Sequence, residues 1–301
     1  MKILIIGSRG FIGHHLFSYF SEKNNEVWGS DVVDDYINKE RYFLINATDS
    51  DYSSVFHSAE YDLCVNCSGA ANVPDSLKNP LRDYYLNTVN VFKILEAIRK
   101  FQPSCKFINL SSAAVYGNPK QMPVIEDVRP DPISPYGFHK LQAEQVCKEF
   151  YDFYKIRTCS LRIFSVYGPG LKKQLFWDLY QKAQSSYNVK LFGTGDESRD
   201  FIYIADLAKA VELIINNHVF NGESVNIANG LEVRIIEAVS VFYNHFPFPV
   251  NFSFTGEIRH GDPLNWCADI RKLRSVGYKP SVNLNDGLSN YFNWLQSLNN
   301  K

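Results

Sequence analysis

Long hydrophobic runs are missing from this 301-residue chain. Ile3-Leu4-Ile5-Ile6 is typical of its apolar stretches, far short of the roughly 20 residues that a membrane-spanning helix needs. The chain opens on a strand-like segment at Lys2 instead of a leader sequence, so it reads as cytoplasmic with no membrane partner. Charge of one sign is missing as well. Lys and Arg number 31 against 32 Asp and Glu, which gives no global attraction toward nucleic acid or an anionic membrane. Cysteine is sparse, at six residues, and forms no dense pattern that would announce a disulfide framework. Cys64 and Cys67 make a C-x-x-C inside the apolar run Leu63 to Cys67, where strand geometry points them to opposite faces. No second pair completes a zinc site, and the histidines are scattered, so no metal is expected.

Hydrophobic residues at 45%, with 15% aromatic and 21% charged, describe a packed chain with no room for a long disordered tail. Its length suggests about two units. The first half alternates strands with helices. Ile3 to Ile6 leads through a glycine turn to a helix from Phe11 to about Ser21 and a strand at Glu26 to Gly29. Further strands are expected at Tyr42 to Ile45, Leu63 to Cys67, Lys106 to Leu110 and Thr158 to Ile163. Long helices are expected at Leu81 to Phe101, with Leu86, Val89, Asn90, Phe92, Ile94, Leu95 and Ile98 as its apolar stripe, and at Tyr136 to Tyr154. This order implies an α/β fold, a doubly wound parallel sheet. After Tyr167 the breakers multiply, at Gly168-Pro169-Gly170, Gly193-Thr194-Gly195 and Phe246 to Pro249. We expect residues 1–166 to form a dinucleotide-binding domain, with 201–228 returning to it. Residues 167–200 and 229–301 would form a smaller, partly interleaved substrate-binding lobe.

Gly7-Ser8-Arg9-Gly10-Phe11-Ile12-Gly13 sits between the first strand and the first helix. In this G-x-x-G-x-x-G the first glycine makes the turn. The second lets amides approach a pyrophosphate, and the third lets helix and strand pack closely. Asp31 ends the second strand about 20 residues on, where it would bond the adenosine ribose and repel a 2′-phosphate, favouring NAD. Arg9 argues the other way, since a guanidinium in the loop suits a 2′-phosphate and would favour NADP.

Tyr136 and Lys140 are spaced i, i+4 at the start of a helix, on one face. An ammonium beside a phenol stabilises the phenolate and draws it toward a useful general base. Ser112 follows the strand Lys106 to Leu110, at the carboxyl end of the sheet, where ligands of such folds bind.

These stretches resemble the extended short-chain dehydrogenase/reductase family of nucleotide-sugar epimerases, dehydratases and reductases, over nearly the whole chain. The likeness is carried by Gly7 to Gly13, Asn66 to Ala71, Asn87, Ser111 to Gly117 and Tyr136 to Lys140. It continues through Arg162 to Gly170, Gly193 to Asp206 and Arg259 to Asp262. The resemblance implies a Rossmann fold and a catalytic set of Ser112, Tyr136 and Lys140, with Tyr136 as acid/base, Lys140 also holding the nicotinamide ribose and Ser112 bonding the reacting sugar oxygen. It implies a cofactor site lined by Gly7, Arg9, Gly10, Phe11, Ile12, Gly13, Asp31, Asn46, Ala47, Cys67, Ser68, Gly69 and Asn87. Ser165, Arg199, Arg259 and Asp262 would join Ser112 in holding the substrate, the two arginines on its diphosphate. A homodimer, paired through the two long helices, is implied in the same way.

Departures from the family pattern narrow the chemistry. Ala113 and Ala114 stand where 4,6-dehydratases carry an Asp-Glu pair, and where enzymes combining 3,5-epimerisation with reduction use a cysteine. Alanine transfers no protons. What remains is redox chemistry at one sugar carbon. The expected activity is NAD-dependent epimerisation at C4 of a UDP-hexose through a transient 4-keto sugar. The alternatives are an NAD(P)H-dependent reductase of a nucleotide-linked 4-keto-6-deoxy sugar and, from another class, a non-catalytic NAD-binding protein.

Overall fold

Ile3, Leu4, Ile5 and Ile6 are wholly enclosed, as befits a strand covered on both faces. They form β1 (Lys2–Ile6) in the computed structural model, which describes residues 1–35, 39–47, 49–257, 261 and 263–299. The chain continues through α1 (Phe11–Glu22), β2 (Glu26–Asp31), β3 (Tyr42–Leu44), α2 (Tyr52–Ser58), β4 (Leu63–Asn66) and α3 (Val73–Lys78). Next come α4 (Pro80–Tyr84), a π-helical stretch Tyr85–Val89, α5 (Asn90–Phe101) and β5 (Lys106–Ser112). A 3-10 turn at Ala113–Tyr116 precedes α6 (Pro135–Tyr154) and β6 (Thr158–Ile163). Then follow β7 (Ser165–Tyr167), α7 (Gln174–Ser185), β8 (Asn188–Leu191), β9 (Ser198–Arg199), β10 (Phe201–Tyr203) and α8 (Ile204–Asn217). The last elements are β11 (Ser224–Ile227), β12 (Val233–Arg234), α9 (Ile235–Tyr243), β13 (Asn251–Phe254), α10 (Arg271–Ser275) and α11 (Leu284–Asn299).

The central sheet has seven strands in the order β11-β6-β5-β4-β1-β2-β3. The pairs from β6 to β3 are parallel, in register as Ile108 with Cys159, Val65 with Ile108, Ile5 with Val65 and Ile3 with Val27. This is the doubly wound α/β sheet that the alternation of elements implied. The strand order reverses at β1, which lies between β2 and β4, so the loops after β1 and β4 leave the same edge side by side.

The chain divides into two compact units. One comprises 1–117, 126–163 and 214–226, and contains most of the central sheet; the other comprises 118–125, 164–213 and 227–301. The core of the first unit includes Leu4, Ile6, Phe56, Ile94, Leu95, Ile98, Phe107, Ala143, Cys147 and Phe150. The second unit is rich in packed aromatics, with Phe176, Phe242, Phe246, Tyr291 and Phe292 in mutual ring contact. Its strands form two-stranded sheets: β10 with β7, β12 with β9, and β13 with β8. Among the described residues no helix is long and apolar enough to cross a membrane.

The helix expected at Leu81 to Phe101 is in fact α4, the π stretch and α5 in succession. The wider π turn shifts the downstream faces. Val91 and Ala97 are therefore buried, whereas Phe92, expected in the apolar stripe, is 44% exposed.

Candidate active site

The loop after β1 is shaped by its glycines. Gly7 has φ +81°, and a Cβ there would lie 2.6 Å from the backbone nitrogen of Ser68. A Cβ on Gly13 would lie 2.1 Å from the Gly7 carbonyl oxygen, so only glycine lets α1 start this close to the strand. Gly10 is the N-cap of α1 and offers no side-chain cap, and the first turn, Phe11 and Ile12 included, holds no acidic residue. The helix therefore begins with uncapped amides, which suits a pyrophosphate.

Asp31, at the end of β2, faces this loop. Its Oδ2 accepts from the Arg9 backbone N–H at 2.8 Å and its Oδ1 from Val32 at 2.7 Å. The Arg9 guanidinium turns toward Asp35, with Nη1 to Oδ2 at 3.5 Å. A carboxylate fixed beside the loop, and an arginine drawn to an acid, fit a dinucleotide without a 2′-phosphate. Cys67 continues from β4, its N–H on the Ile6 carbonyl at 2.8 Å, and Ser68 Oγ donates to Asn66 Oδ1 at 2.6 Å. Burial pushes the Cys67 thiol up, so it stays protonated. Asn46 caps its own turn, accepting from Asp49 N–H at 3.1 Å, and the Ala47 carbonyl accepts from Asn90 Nδ2 at 2.9 Å.

The second group of residues lies on β5 and α6. Ser134 caps α6 by accepting from Gly137 N–H at 3.2 Å, and Pro135 follows with φ already suited to a first turn. That start fixes Tyr136, whose N–H also donates to Ser76 Oγ at 3.2 Å. The Ser112 side chain lies by the Tyr136 phenol and favours its ionised form, while its Oγ accepts from Ala114 N–H at 3.2 Å. Lys140 is one turn further on. Its Nζ donates to the Leu110 carbonyl at 2.9 Å and stands 6.0 Å from the centre of the Tyr136 ring.

Spacing alone suggested that Lys140 draws the phenol downward. In the structure burial dominates, pushing Tyr136 up to about 12, with the Ser112 side chain opposing and the Asp83 charge adding. Lys140 is brought down to about 8, again by burial, with Asp83 opposing most strongly. Asn87 Oδ1 and Lys140 Nζ both face Gly69, standing 2.5 and 3.5 Å from where a Cβ would be. The Asn87 side chain is buried with no hydrogen-bond partner among the described residues.

Two buried pairs flank this set, and of their four members only Arg162 and His139 fall in stretches that carry the family likeness. Arg162 grips Glu144, one turn beyond Lys140, through Nη2 at 2.8 Å and Nε at 3.0 Å, and Ser111 Oγ donates to the same carboxylate at 2.6 Å. Asp83 on α4 meets His139 Nδ1 at 2.6 Å. The spacing of Glu144 behind Lys140 was legible on a helical wheel; the Asp83–His139 pair joins residues 56 apart and was not.

All of these residues belong to the first unit. The second unit brings Ser165 and Arg199 near one another, because β7 pairs with β10 and Ser165 N–H donates to the Asp200 carbonyl at 3.0 Å. Arg199 Nη1 donates to the Ser198 and Leu264 carbonyls at 2.8 and 3.1 Å, and the guanidinium lies 5.4 Å from the Trp266 ring centre. Arg259 and Asp262 lie outside the described residues. Among those described, no group of three His, Cys, Asp or Glu could hold a metal ion.

Residues 3–228 match the sequence model of the NAD dependent epimerase/dehydratase family. Similar proteins extend over the full length. The uncharacterized UDP-glucose epimerase YtcB of Bacillus subtilis is 30% identical over 320 residues, with 99% of each chain covered. UDP-glucuronic acid 4-epimerase from Bacillus cereus, crystallised with UDP-glucuronic acid and NAD, superposes with a TM-score of 0.90 at 27% identity, covering 99% of this chain and 100% of that one. UDP-N-acetylglucosamine 4-epimerase from Methanobrevibacter ruminantium M1, in complex with UDP-N-acetylmuramic acid, superposes at 0.88 with 26% identity, over 99% and 98%.

Proposed function

Because the chain belongs to the NAD dependent epimerase/dehydratase family, we propose that it is an NAD-dependent epimerase acting at C4 of a UDP-linked hexose. One observation carries this reading. The Ser112 side chain lies by the Tyr136 phenol and favours its ionised form, and the turn that follows, Ala113 and Ala114, adds no second proton carrier. A site with one proton-transferring side chain suits reversible oxidation at one carbon better than elimination of water.

Gly7 to Gly13, Asp31, Asn46, Ala47 and Cys67 to Gly69 would hold the dinucleotide, with Lys140 on its nicotinamide ribose and Asn87 alongside. Bound NAD supplies reversible hydride acceptance at C4. In its phenolate form, reached once its own proton has left to solvent, Tyr136 Oη would take the proton of the C4 hydroxyl and later return it. Ser112 Oγ orients that hydroxyl, and the enclosed Lys140 ammonium stabilises the phenolate while the proton is away. Arg199 is a cation fixed in advance by two carbonyls and an aromatic face, suited to a diphosphate; Ser165, Arg259 and Asp262 are the further proposed contacts to the nucleotide sugar. The engagement of Arg9 by Asp35 supports NAD over NADP. A cytoplasmic homodimer, paired through α4–α5 and α6, accords with this reading.

The test is direct. Purified protein is incubated with UDP-glucose, UDP-N-acetylglucosamine and UDP-glucuronic acid, with and without catalytic NAD. Interconversion at C4 with no net change in cofactor is expected, and Tyr136→Phe is expected to lower kcat by about 10²–10⁴-fold while NAD still binds. Turnover that consumes NADPH in proportion to product overturns the epimerase.

A further inference from the structure

Lys140 poses an electrostatic problem that the motif residues leave open. The residue is 6% exposed, and a buried cation without a buried anion is costly. Asp83 from α4 is placed toward it by geometry: it bonds His139, the residue before Lys140, and Asn87, one turn on from Asp83, stands with Lys140 Nζ around Gly69. The other groups that act on it are Cys67 after β4, and Glu144 and Cys147 on its own helix. Tyr136 also stands on its own helix. Burial holds both thiols and the phenol in their neutral forms. Glu144 is already committed to Arg162 of β6, to Ser111 of β5 and to Ser224 Oγ at 3.1 Å. The turn after β5 contributes Tyr116, whose hydroxyl accepts from Arg162 Nη1 at 2.7 Å. Asp83 remains.

Its carboxylate is 1% exposed, and Oδ1 has no hydrogen-bond partner among the described residues. The other oxygen is tied to His139 Nδ1 at 2.6 Å. His139 is itself held in place: the Tyr84 ring stands edge-on at 5.4 Å, and its carbonyl accepts from Thr88 Oγ1 at 2.9 Å. One carboxylate oxygen is thus anchored and the other is buried without a hydrogen-bond partner among the described residues.

We propose that Asp83 is the counter-charge of Lys140 and that His139 is the residue that aims it, making them a positioning pair for the acid/base set. The role in catalysis rests on the reading of Lys140 given above; the charge relation does not. Asp83 favours the ammonium and opposes the phenolate, so its loss moves both Lys140 and Tyr136 toward lower pH.

The experiment follows the Lys140 charge itself, by NMR titration of protein carrying ¹³C at the lysine ε-carbon, with the resonance identified by its disappearance in Lys140→Met. Asp83→Asn keeps shape and the acceptor for His139, and is expected to lower the Lys140 midpoint by about one pH unit. His139→Leu, which frees the carboxylate, should lower it by a smaller amount. His139→Gln restores an N–H donor and should return it to within about 0.2 units of wild type. An unmoved midpoint in Asp83→Asn overturns the proposal; if that variant does not fold, an unmoved midpoint in His139→Leu does so. The two readings separate cleanly. Protein inactive on UDP-sugars with a shifted midpoint sinks the epimerase alone, whereas an active epimerase with an unmoved midpoint sinks the counter-charge alone.

Discussion

At the residue scale, the types proposed to carry the chemistry can be picked out in the sequence, because such chemistry demands them. Asp31 at a strand end and Ser112, Tyr136 and Lys140 at their spacings needed no structure to be singled out. Their electrostatics did. Spacing puts Lys140 on the face of Tyr136 but says nothing of depth, and burial turns out to be the largest influence on both groups. A stability consequence follows. Lys140 is brought down to about 8 against about 10.4 in an unfolded chain. Between those values the unfolded chain holds the proton and the folded protein does not, so stability rises with pH; the contribution is lost as pH falls through about 8. Urea unfolding from about pH 8 to about pH 9.5 should therefore show wild type gaining on the order of 2 kcal/mol relative to Lys140→Met. Parallel curves for the two proteins would mean that Lys140 is not desolvated in the folded state.

At the element scale, the glycine loop was legible because backbone stereochemistry leaves few substitutes at its positions. The same geometry makes a sharp expectation. Gly13→Ala sets a methyl group 2.1 Å from the Gly7 carbonyl oxygen, a backbone atom that cannot swing aside. A cost of about 1–3 kcal/mol is expected as a lower denaturant midpoint with unchanged slope. NAD affinity measured by calorimetry should fall at least tenfold, since the uncapped amides of α1 move with the loop. Retained affinity would show that the helix start is not part of the cofactor site. The π stretch at Tyr85–Val89 was not legible, because one wide turn leaves the local apolar periodicity nearly intact and reveals itself only in which downstream residues are covered. The Asp83–His139 pair escaped for a related reason. It depends on how α4 lies against α6, which no window of sequence contains.

At the scale of the whole molecule, the doubly wound sheet followed from alternating elements, and its switch point at β1 sets the loops after β1 and β4 side by side, as the proposed cofactor site requires. The surface left by α4–α5 and α6 carries the remaining argument. These helices pack against each other, yet Leu81 is 68% exposed, Phe92 44%, Phe138 51% and Phe153 77%. Large apolar side chains concentrated on one helical pair are more than the scattered exposure that any surface shows. The homodimer proposed above would set a second copy on this face, where the same surface presented twice is self-complementary about a two-fold axis. Leu81→Arg together with Phe153→Arg should then convert a dimer into a monomer in sedimentation equilibrium. The circular dichroism spectrum should stay unchanged, because both positions lie outside the core of the first unit. The His139 ring lies on the same helix, one residue from the exposed Phe138, so loss of the dimer should also loosen the Asp83–His139 contact and lower kcat more than it raises KM. A wild-type protein that sediments as a monomer, or a double variant that remains a dimer, would refute the pairing through these helices.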